Sequence, residues 1–415
     1  MKSSMGWSLA IAGVLGLCAT AAQAQSLTLD QAVRQALSEN AGLKAEGAAV
    51  VAAERQAESQ ALAPPLTIGG ELENFSGTGD VSGIRSAEST LRLGRVFELG
   101  GKAQARRALG ASEVARQRNR VEQRQLDVAA EVARRYVDVV AMQARLELAE
   151  QALGLVERNR DAVSQRVDRG RSPPSDLHLA ELSVTRTDLE REDARHELAT
   201  ARVALSVLWG DTTPDFDAAT GDLSALPEVE AFEALADRIA RSPDRRALQL
   251  EAEEIEARRH LAETARQPDL ETTLGVRRFE AFDDQALVLS FSLPLGSRSR
   301  AEPAIARQSA DLDRLEHTSS EQALDAYQRL FGQYQALQYA RHQTETLRGK
   351  MIPRAEQALA ATQQGYEEAR FSFLQVAQAR TVLLDIQRDA IDAAARYHRL
   401  LADIERATAV SGDTP

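Results

Sequence analysis

Apolar residues recur along much of this chain at alternating spacings of three and four. This pattern runs from Leu177 to Leu208 and again from Val376 to Ile404. A 3.5-residue repeat predicts α-helices that pack as left-handed coiled coils. The segment 101–168 contains no proline, and a helix of that length would extend for about 100 Å. We therefore expect long antiparallel rods in place of one globular core.

A second rod is predicted over 302–368. Pro303 is expected in its first turn, and Pro353 is expected to bend it. Two shorter helices, 27–62 and 174–209, are predicted to stack end to end beside the first rod.

Two β-hairpins are predicted between the helices, because apolar and polar residues alternate over 66–75, 87–97, 270–279 and 285–293. Each segment is as long as a tilted membrane strand. Aromatic residues lie at or near the strand ends, as in the aromatic girdles of outer-membrane barrels: Phe75, Phe97, Phe279 and Phe291. Soluble hairpins that cap a helical bundle are the alternative interpretation.

The membrane interpretation requires more than one chain. Four strands cannot close a barrel, and open sheet edges are not tolerated in lipid. Three chains would supply twelve strands with no free edge. The predicted fold class is mainly α with a small β part.

The chain shows an internal two-fold repeat, with corresponding landmarks about 200 positions apart. The first repeat covers 25–210, with its hairpin at 66–97 and a helical tip at 169–174. A crossover loop, 211–227, precedes the second repeat, 228–410, with its hairpin at 270–293 and a tip at 369–373. Residues 411–415 form a tail.

The N terminus predicts export from the cytoplasm. Lys2 precedes a short apolar run, and the small residues Ala22 and Ala24 follow in the spacing of a signal-peptidase site. Residues 1–24 are therefore expected to be a signal peptide that is removed, since the apolar run is too short for a membrane anchor. Cys18, the one cysteine, leaves lipidation of the mature chain open.

Composition and motifs exclude several classes of function. With 50 Lys+Arg against 62 Asp+Glu, the net charge of −12 argues against a nucleic-acid binder. The six histidines lack the spacings of metal sites, and we find no phosphate-binding loop or catalytic motif. We expect no cofactor, no bound metal and no enzymatic activity.

Several strings resemble a known family. They are the strand 71–79, the strand-to-helix junction 97–102, the helix reversals 169–177 and 370–374, and the last-helix segment 396–399. With the duplication, they resemble the TolC family of outer-membrane efflux proteins, most closely the CzcC branch that serves heavy-metal cation pumps.

The resemblance implies a homotrimer in the outer membrane of a Gram-negative bacterium. Its strands would form a twelve-stranded barrel in the lipid, and its helices a long coiled-coil α-barrel in the periplasm. The reversals would form a tip that meets a periplasmic membrane-fusion adaptor and an inner-membrane pump of the RND type. The implied function is a passive efflux duct, plausibly for heavy-metal cations.

The expected adaptor contacts are residues of the two reversals: Arg169, Gly170, Arg171, Ser172, Arg370 and Ser372. Ordinary turn chemistry explains the same residues, since Gly permits φ > 0 and Pro starts the next helix. Acidic residues near the tip could form rings at a cation-selective constriction: Asp161, Asp168, Asp176, Glu367 and Glu368. Solvated faces of a charged coiled coil are the alternative for each of them.

Two other classes of function remain open at this point. A periplasmic adaptor also contains a coiled-coil hairpin, although adaptors usually have a single one. A soluble coiled-coil structural protein is the second alternative. The exported substrate is open as well, because a TolC-like duct can serve drugs or type I secretion.

Overall fold

The computed structural model describes residues 26–81, 83–368 and 370–410. The predicted signal peptide, the tail 411–415 and Ala369 in the second reversal lie outside these residues. Within them the chain is mainly helical with a small β part, as predicted.

The first half of the chain alternates helices with short strands. In chain order its elements are β1 (Ser26–Leu27), α1 (Leu29–Glu39), α2 (Ala41–Gln60), β2 (Thr67–Glu73), β3 (Glu88–Phe97), α3 (Lys102–Asp168) and α4 (Pro174–Ser206). At 67 residues, α3 is about 100 Å long.

The second half follows a similar order. Its elements are β4 (Ala218–Ala219), α5 (Phe232–Ile239), α6 (Pro243–Thr264), β5 (Leu270–Phe279), β6 (Asp284–Ser292), α7 (Ser297–Thr346), α8 (Ile352–Glu367) and α9 (Phe373–Thr408). Every helix in the described part of the chain is too short or too polar to cross a bilayer.

The first predicted helix, 27–62, is divided in the structure. Asn40 separates α1 from α2: its side-chain oxygen accepts a hydrogen bond from the amide of Leu43 at 3.1 Å, and its amide group donates to the carbonyl of Leu208 at 2.8 Å. A side chain that caps one helix and contacts another favours a break over a continuous helix. Leu27 lies in β1, which pairs in parallel with β4 of the crossover segment.

One proline of the second rod lies in a different place from that predicted. Gly296 adopts a left-handed conformation and α7 begins at Ser297, so Pro303 lies inside the helix and not in its first turn. A π-helical turn, Leu347–Met351, comes directly before α8, which has Pro353 at its start. Helices bend at prolines and at π-helical turns, and the bend at Pro353 stays a prediction.

The longer strands form one antiparallel sheet in the order β2-β3-β5-β6. Strand β2 ends two residues before the predicted Phe75, because Asn74 has a φ of +54°. Among the described residues, β2 and β6 have no partner strand on their outer sides. The sheet therefore has two open edges.

In this sheet the apolar face is exposed, whereas the apolar face of a sheet in a soluble protein packs against the core. One face is apolar and open to the surroundings, with Ile68 78% and Leu289 73% exposed. The large apolar residues of this face are Ile68, Leu72, Leu91, Leu93, Leu274, Val276, Leu287, Leu289 and Phe291. The opposite face carries carboxylates and guanidinium groups that form ion pairs. Such an arrangement leaves the hydrophobic side without cover in a single chain.

Tyrosine side chains hold the crossover segment against the helices. The hydroxyl of Tyr136 in α3 lies within hydrogen-bonding distance of the carbonyl of Thr220 in this segment and of the carbonyl of Leu27 in β1. Tyr397 of α9, 1% exposed, donates to the carbonyl of Pro227. The neighbouring His398 is partly buried, and burial lowers its pKa below the ordinary value. The segment 396–399 thus has a packing role at the middle of the molecule.

A ladder of ion pairs sets the register of α3 against α9. Arginine and aspartate alternate between the two helices, so a slip of one heptad would oppose Asp138 to Asp392 and Arg134 to Arg396. Like charges in contact are destabilising, and the ladder therefore specifies one register. Its pairs are Asp127–Arg406, Arg134–Asp403, Asp138–Arg399 and Arg145–Asp392.

We predict that exchanging the two charges of one ladder pair restores the stability that is lost when only one of the charges is reversed. Asp138→Arg alone faces Arg399 with a like charge, and we expect a loss of about 1 kcal/mol because both groups are partly exposed. The double variant Asp138→Arg/Arg399→Asp should recover most of this loss, as measured by thermal unfolding in detergent. Asp193→Arg, on the exposed side of α4, is the control. A double variant that shows no recovery, with a loss equal to the sum of the losses of the two single variants, would contradict the role of the ladder.

Candidate functional site

Paired glycines make the junction between the sheet and the first long helix. Gly100 and Gly101 both have φ values near +80°, at +79° and +77°, and together they turn β3 into α3. Lys102 then donates to Asp269 at 2.6 Å, from the segment that leads into β5. L-residues with side chains are strained at such φ values, so these two glycines fix the direction in which the rod leaves the sheet.

The first helix reversal ends α3 with a Schellman motif. The amide of Arg171 donates to the carbonyl of Arg166 at 2.8 Å, and that of Gly170 to Val167 at 2.9 Å. Gly170 has a φ of +67°, and Pro174 occupies the first turn of α4. Arg169, Gly170 and Arg171 are exposed and Ser172 is half-buried. The turn chemistry considered from the sequence is therefore present, and the two arginines project from a rigid turn.

The second reversal repeats one bond of this motif and starts its next helix differently. The amide of Arg370 donates to the carbonyl of Gly365 at 2.7 Å at the end of α8, as that of Arg171 does to Arg166. Ser372 then caps α9 through a reciprocal pair with Gln375, in which the amide of Ser372 donates to the side chain of Gln375 at 2.9 Å. Arg370 and Ser372 are both exposed.

The structure brings the two reversals together. The hydroxyl of Ser172 accepts a hydrogen bond from Nε of Arg166 at 3.3 Å and lies 3.4 Å from the hydroxyl of Tyr366. The guanidinium of Arg166 also stacks over the Tyr366 ring, at 4.5 Å from its centre. Val163, Ala180 and Phe373 form a small buried cluster beneath these groups. The tip is therefore one surface built from both halves of the chain.

The five candidate acids lie at or near this tip. Asp161, Asp168, Glu367 and Glu368 are exposed, and Asp176 is half-buried. Asp161 pairs with Arg160 at 2.7 Å, and Glu368 pairs with Arg370. Asp168, Asp176 and Glu367 have no ion-pair partner among the described residues. These last three keep their charge uncompensated near the tip.

A buried arginine lies two turns beyond the second reversal. Arg380 follows Phe373 and Val376 at the inward-facing spacing of α9 and is 4% exposed. Its Nε and one terminal nitrogen have no hydrogen-bond partner among the described residues, and burial lowers its pKa. An uncompensated buried cation costs free energy. The packing just beyond the tip is accordingly weaker than that of an apolar core.

The described residues contain no group of three or more His, Cys, Asp or Glu side chains that could hold a metal ion. The candidate acids thus do not form a chelating cluster within the described part of one chain.

Sequence reasoning missed the residues that join the reversals. Arg166 and Tyr366 precede the turns and have no motif of their own, although Tyr is rare here, with 6 in the chain. Gly365 has no positive φ, yet a Cβ at this position would collide with the ring of Phe371. Only the packing of α3 against α8 and α9 makes these residues part of the site.

The comparisons with known proteins agree with this architecture. A family model described as "Outer membrane efflux protein" matches residues 32–211. The cobalt-zinc-cadmium resistance protein CzcC of Cupriavidus metallidurans is 30% identical over 323 residues, which is 77% of this chain and 75% of that protein. The nickel-cobalt-cadmium resistance protein NccC of Alcaligenes xylosoxydans is 26% identical over 56% of this chain and 54% of its own length.

Solved structures show the same fold. A crystal structure of CusC superimposes with a TM-score of 0.78 at 16% identity and covers 92% of this chain and 91% of CusC. The CusC structures describe conformational changes that accompany folding and transmembrane channel formation. Given the extent of the match to CzcC, together with this fold, the chain belongs to the outer membrane efflux protein family, the family that its sequence motifs resemble.

Proposed function

We propose that this chain is the outer-membrane duct of a tripartite efflux system that exports heavy-metal cations. The observation that carries the proposal is the sheet, whose apolar face is uncovered and whose two edges are open. Lipid would cover the apolar face, and strands from further copies would satisfy the edges. Three copies would give the twelve strands expected from the sequence.

The aromatic residues of the strands support a position in the bilayer. Phe97 and Phe291 lie on the apolar face, at the end of the sheet next to the helices. Aromatic side chains at this level match the interface on one side of a membrane. At the opposite end Phe279 lies on the polar face and Phe75 lies beyond the last residue of β2, so these two do not extend the lipid-facing girdle. The protein would then be exported by its signal peptide 1–24 and inserted in the outer membrane.

The long helices support a duct across the periplasm. Helix α3 leaves the sheet at Lys102 and reaches the tip at Asp168, about 100 Å away. We infer that the tip contacts a membrane-fusion adaptor and, with it, an RND-type pump in the inner membrane. The duct itself is passive, with energy supplied by the pump. We also propose the two-repeat organisation, 25–210 and 228–410 joined by 211–227, since both halves contain a hairpin of strands followed by a long helical hairpin.

The names of the relatives indicate the substrate class. CzcC and NccC are named for resistance to cobalt, zinc, cadmium and nickel. We infer that divalent cations of this kind pass through the duct as substrates without a chelating site.

The deciding experiment combines cells and purified protein. We expect a strain without this gene to lose tolerance to cobalt, zinc or cadmium, and the purified chain to form a trimer in detergent that conducts in planar bilayers. A stable lone subunit without conductance, or recovery in the soluble periplasmic fraction, would contradict the duct and favour an adaptor or structural role. A conducting trimer with unchanged metal tolerance would point to drugs or polypeptides as substrates.

We predict that the uncompensated acids at the tip contribute to cation selectivity. Replacing Asp168 and Asp176 by Asn should lower the ratio of cation to anion permeability, because three copies of each acid would surround the tip. Asp193→Asn, on the exposed side of α4 about five turns from Asp176, is the matched control. Unchanged reversal potentials in the Asp168/Asp176 variant would show that these acids are only solvated surface.

We predict that the exposed arginines of the first reversal contact the adaptor. Arg169→Glu with Arg171→Glu should weaken adaptor binding roughly threefold or more, with little effect on thermal stability, because both side chains lie at the rim of the tip. Arg186→Glu on α4, whose side chain is also exposed, should bind normally.

Gly170→Ala distinguishes an effect of the turn conformation from an effect of the arginine contacts. It strains the turn at a φ of +67° and should lower stability by about 1 kcal/mol while leaving both arginines in place. Normal adaptor binding by the Arg169/Arg171 variant would show that these residues lie outside the interface.

A further inference from the structure

The polar face of the sheet contains an arginine between two facing carboxylates. Glu73 of β2 and Glu88 of β3 are direct register partners in the antiparallel pair. Nη2 of Arg277, from β5, lies 2.8 Å from Glu73, and its Nη1 donates to Glu88 at 3.0 Å. Its Nε donates to the hydroxyl of Thr90 at 3.0 Å. One guanidinium thus connects three strands.

The facing carboxylates require this cation. Like charges directly opposite each other on neighbouring strands are destabilising. The fork of a guanidinium can reach two carboxylates and a hydroxyl at once, which an ammonium group does less well. A second pair on the same face, Arg92 with Glu71 at 2.6 Å, works in the same way. Within the four strands this face carries five carboxylates and two guanidinium groups, so the arginines offset part of its negative charge.

We propose that Arg277 determines the ion selectivity of the strand region of the duct. Its single positive charge offsets one of the two negative charges of Glu73 and Glu88 and so limits the attraction of cations to this region. The inference rests on the proposed function, since the polar face lines the lumen only when several chains share their strands. The tip would then favour cations at the entrance, whereas Arg277 would weaken the negative field of the strand region.

The burial of these groups supports this assignment. The side chain of Arg277 is 27% exposed, so its ion pairs are partly shielded from solvent, yet one side stays open to the space over the sheet. A change of one charge here is repeated three times around a trimer. Charges arranged around a pore act together on a permeating ion.

The neighbouring residue provides a matched control. Arg278 lies on the apolar face and pairs with Glu280 at 2.9 Å and Asp283 at 2.8 Å near the turn between β5 and β6. Arg277→Gln and Arg278→Gln thus remove the same charge from adjacent positions on opposite faces.

The experiment measures reversal potentials of the purified trimer in planar bilayers under a KCl gradient. Arg277→Gln should raise the ratio of potassium to chloride permeability roughly two- to tenfold, whereas Arg278→Gln should leave it unchanged. Equal ratios for the parent and both variants would overturn the inference. A parent protein that forms no conducting trimer would overturn the proposed function itself, and this inference with it.

A second set of variants distinguishes an effect of charge from an effect of misfolding. Glu73→Gln with Glu88→Gln keeps Arg277 and should shift the selectivity towards chloride. The double variant Glu73→Gln/Arg277→Gln removes one charge of each sign and should return to the parental ratio. A charge-neutral double variant that behaves like Arg277→Gln alone would show that altered structure, and not charge, caused the shift.

Discussion

The four-stranded sheet imposes the constraint on which the rest of this structure depends. Its outer strands expose backbone donors and acceptors that no other described strand satisfies, and its apolar face has no cover. Water could hydrate the edges but not the apolar face, and lipid could cover the face but not the edges. A closed ring of strands from several chains, surrounded by lipid, satisfies both at once.

The long helices fix the position of the tip relative to the sheet, although the two are far apart. Paired left-handed glycines fix the exit of α3 from the sheet, and the Lys102–Asp269 ion pair joins this exit to the second hairpin. Along the rods, small contact residues provide little specificity, because alanine can pack against alanine in many registers. The alternating arginine–aspartate ladder supplies the specificity that the apolar seam lacks. The helical tip is thereby held at a defined place relative to the sheet.

The tip differs chemically from the middle of the molecule. Around Tyr136 and Tyr397 large apolar side chains are buried and both hydroxyls are satisfied. At the tip, a polar contact among Arg166, Ser172 and Tyr366 covers only a small buried cluster. Two nitrogens of the nearby Arg380 have no hydrogen-bond partner among the described residues. A region with few apolar contacts and an uncompensated cation opens more easily than its surroundings. Under the proposed function this property would be useful, because the tip is where the duct would meet the adaptor.

The sequence by itself determined the class of fold, the rods and the strands, because the 3.5-residue and two-residue periods are local and strong. It also located the reversals: Gly170 and Pro174 mark the first, and the internal repeat and the family resemblance place the second about 200 positions later. The tertiary structure decided what depends on contact between distant segments: the break at Asn40, the π-helical turn before Pro353, and the meeting of Arg166 with Tyr366. The position of Arg277 between Glu73 and Glu88 belongs to the same group, because strand alternation assigns each residue to a face but does not reveal which charges meet across three strands.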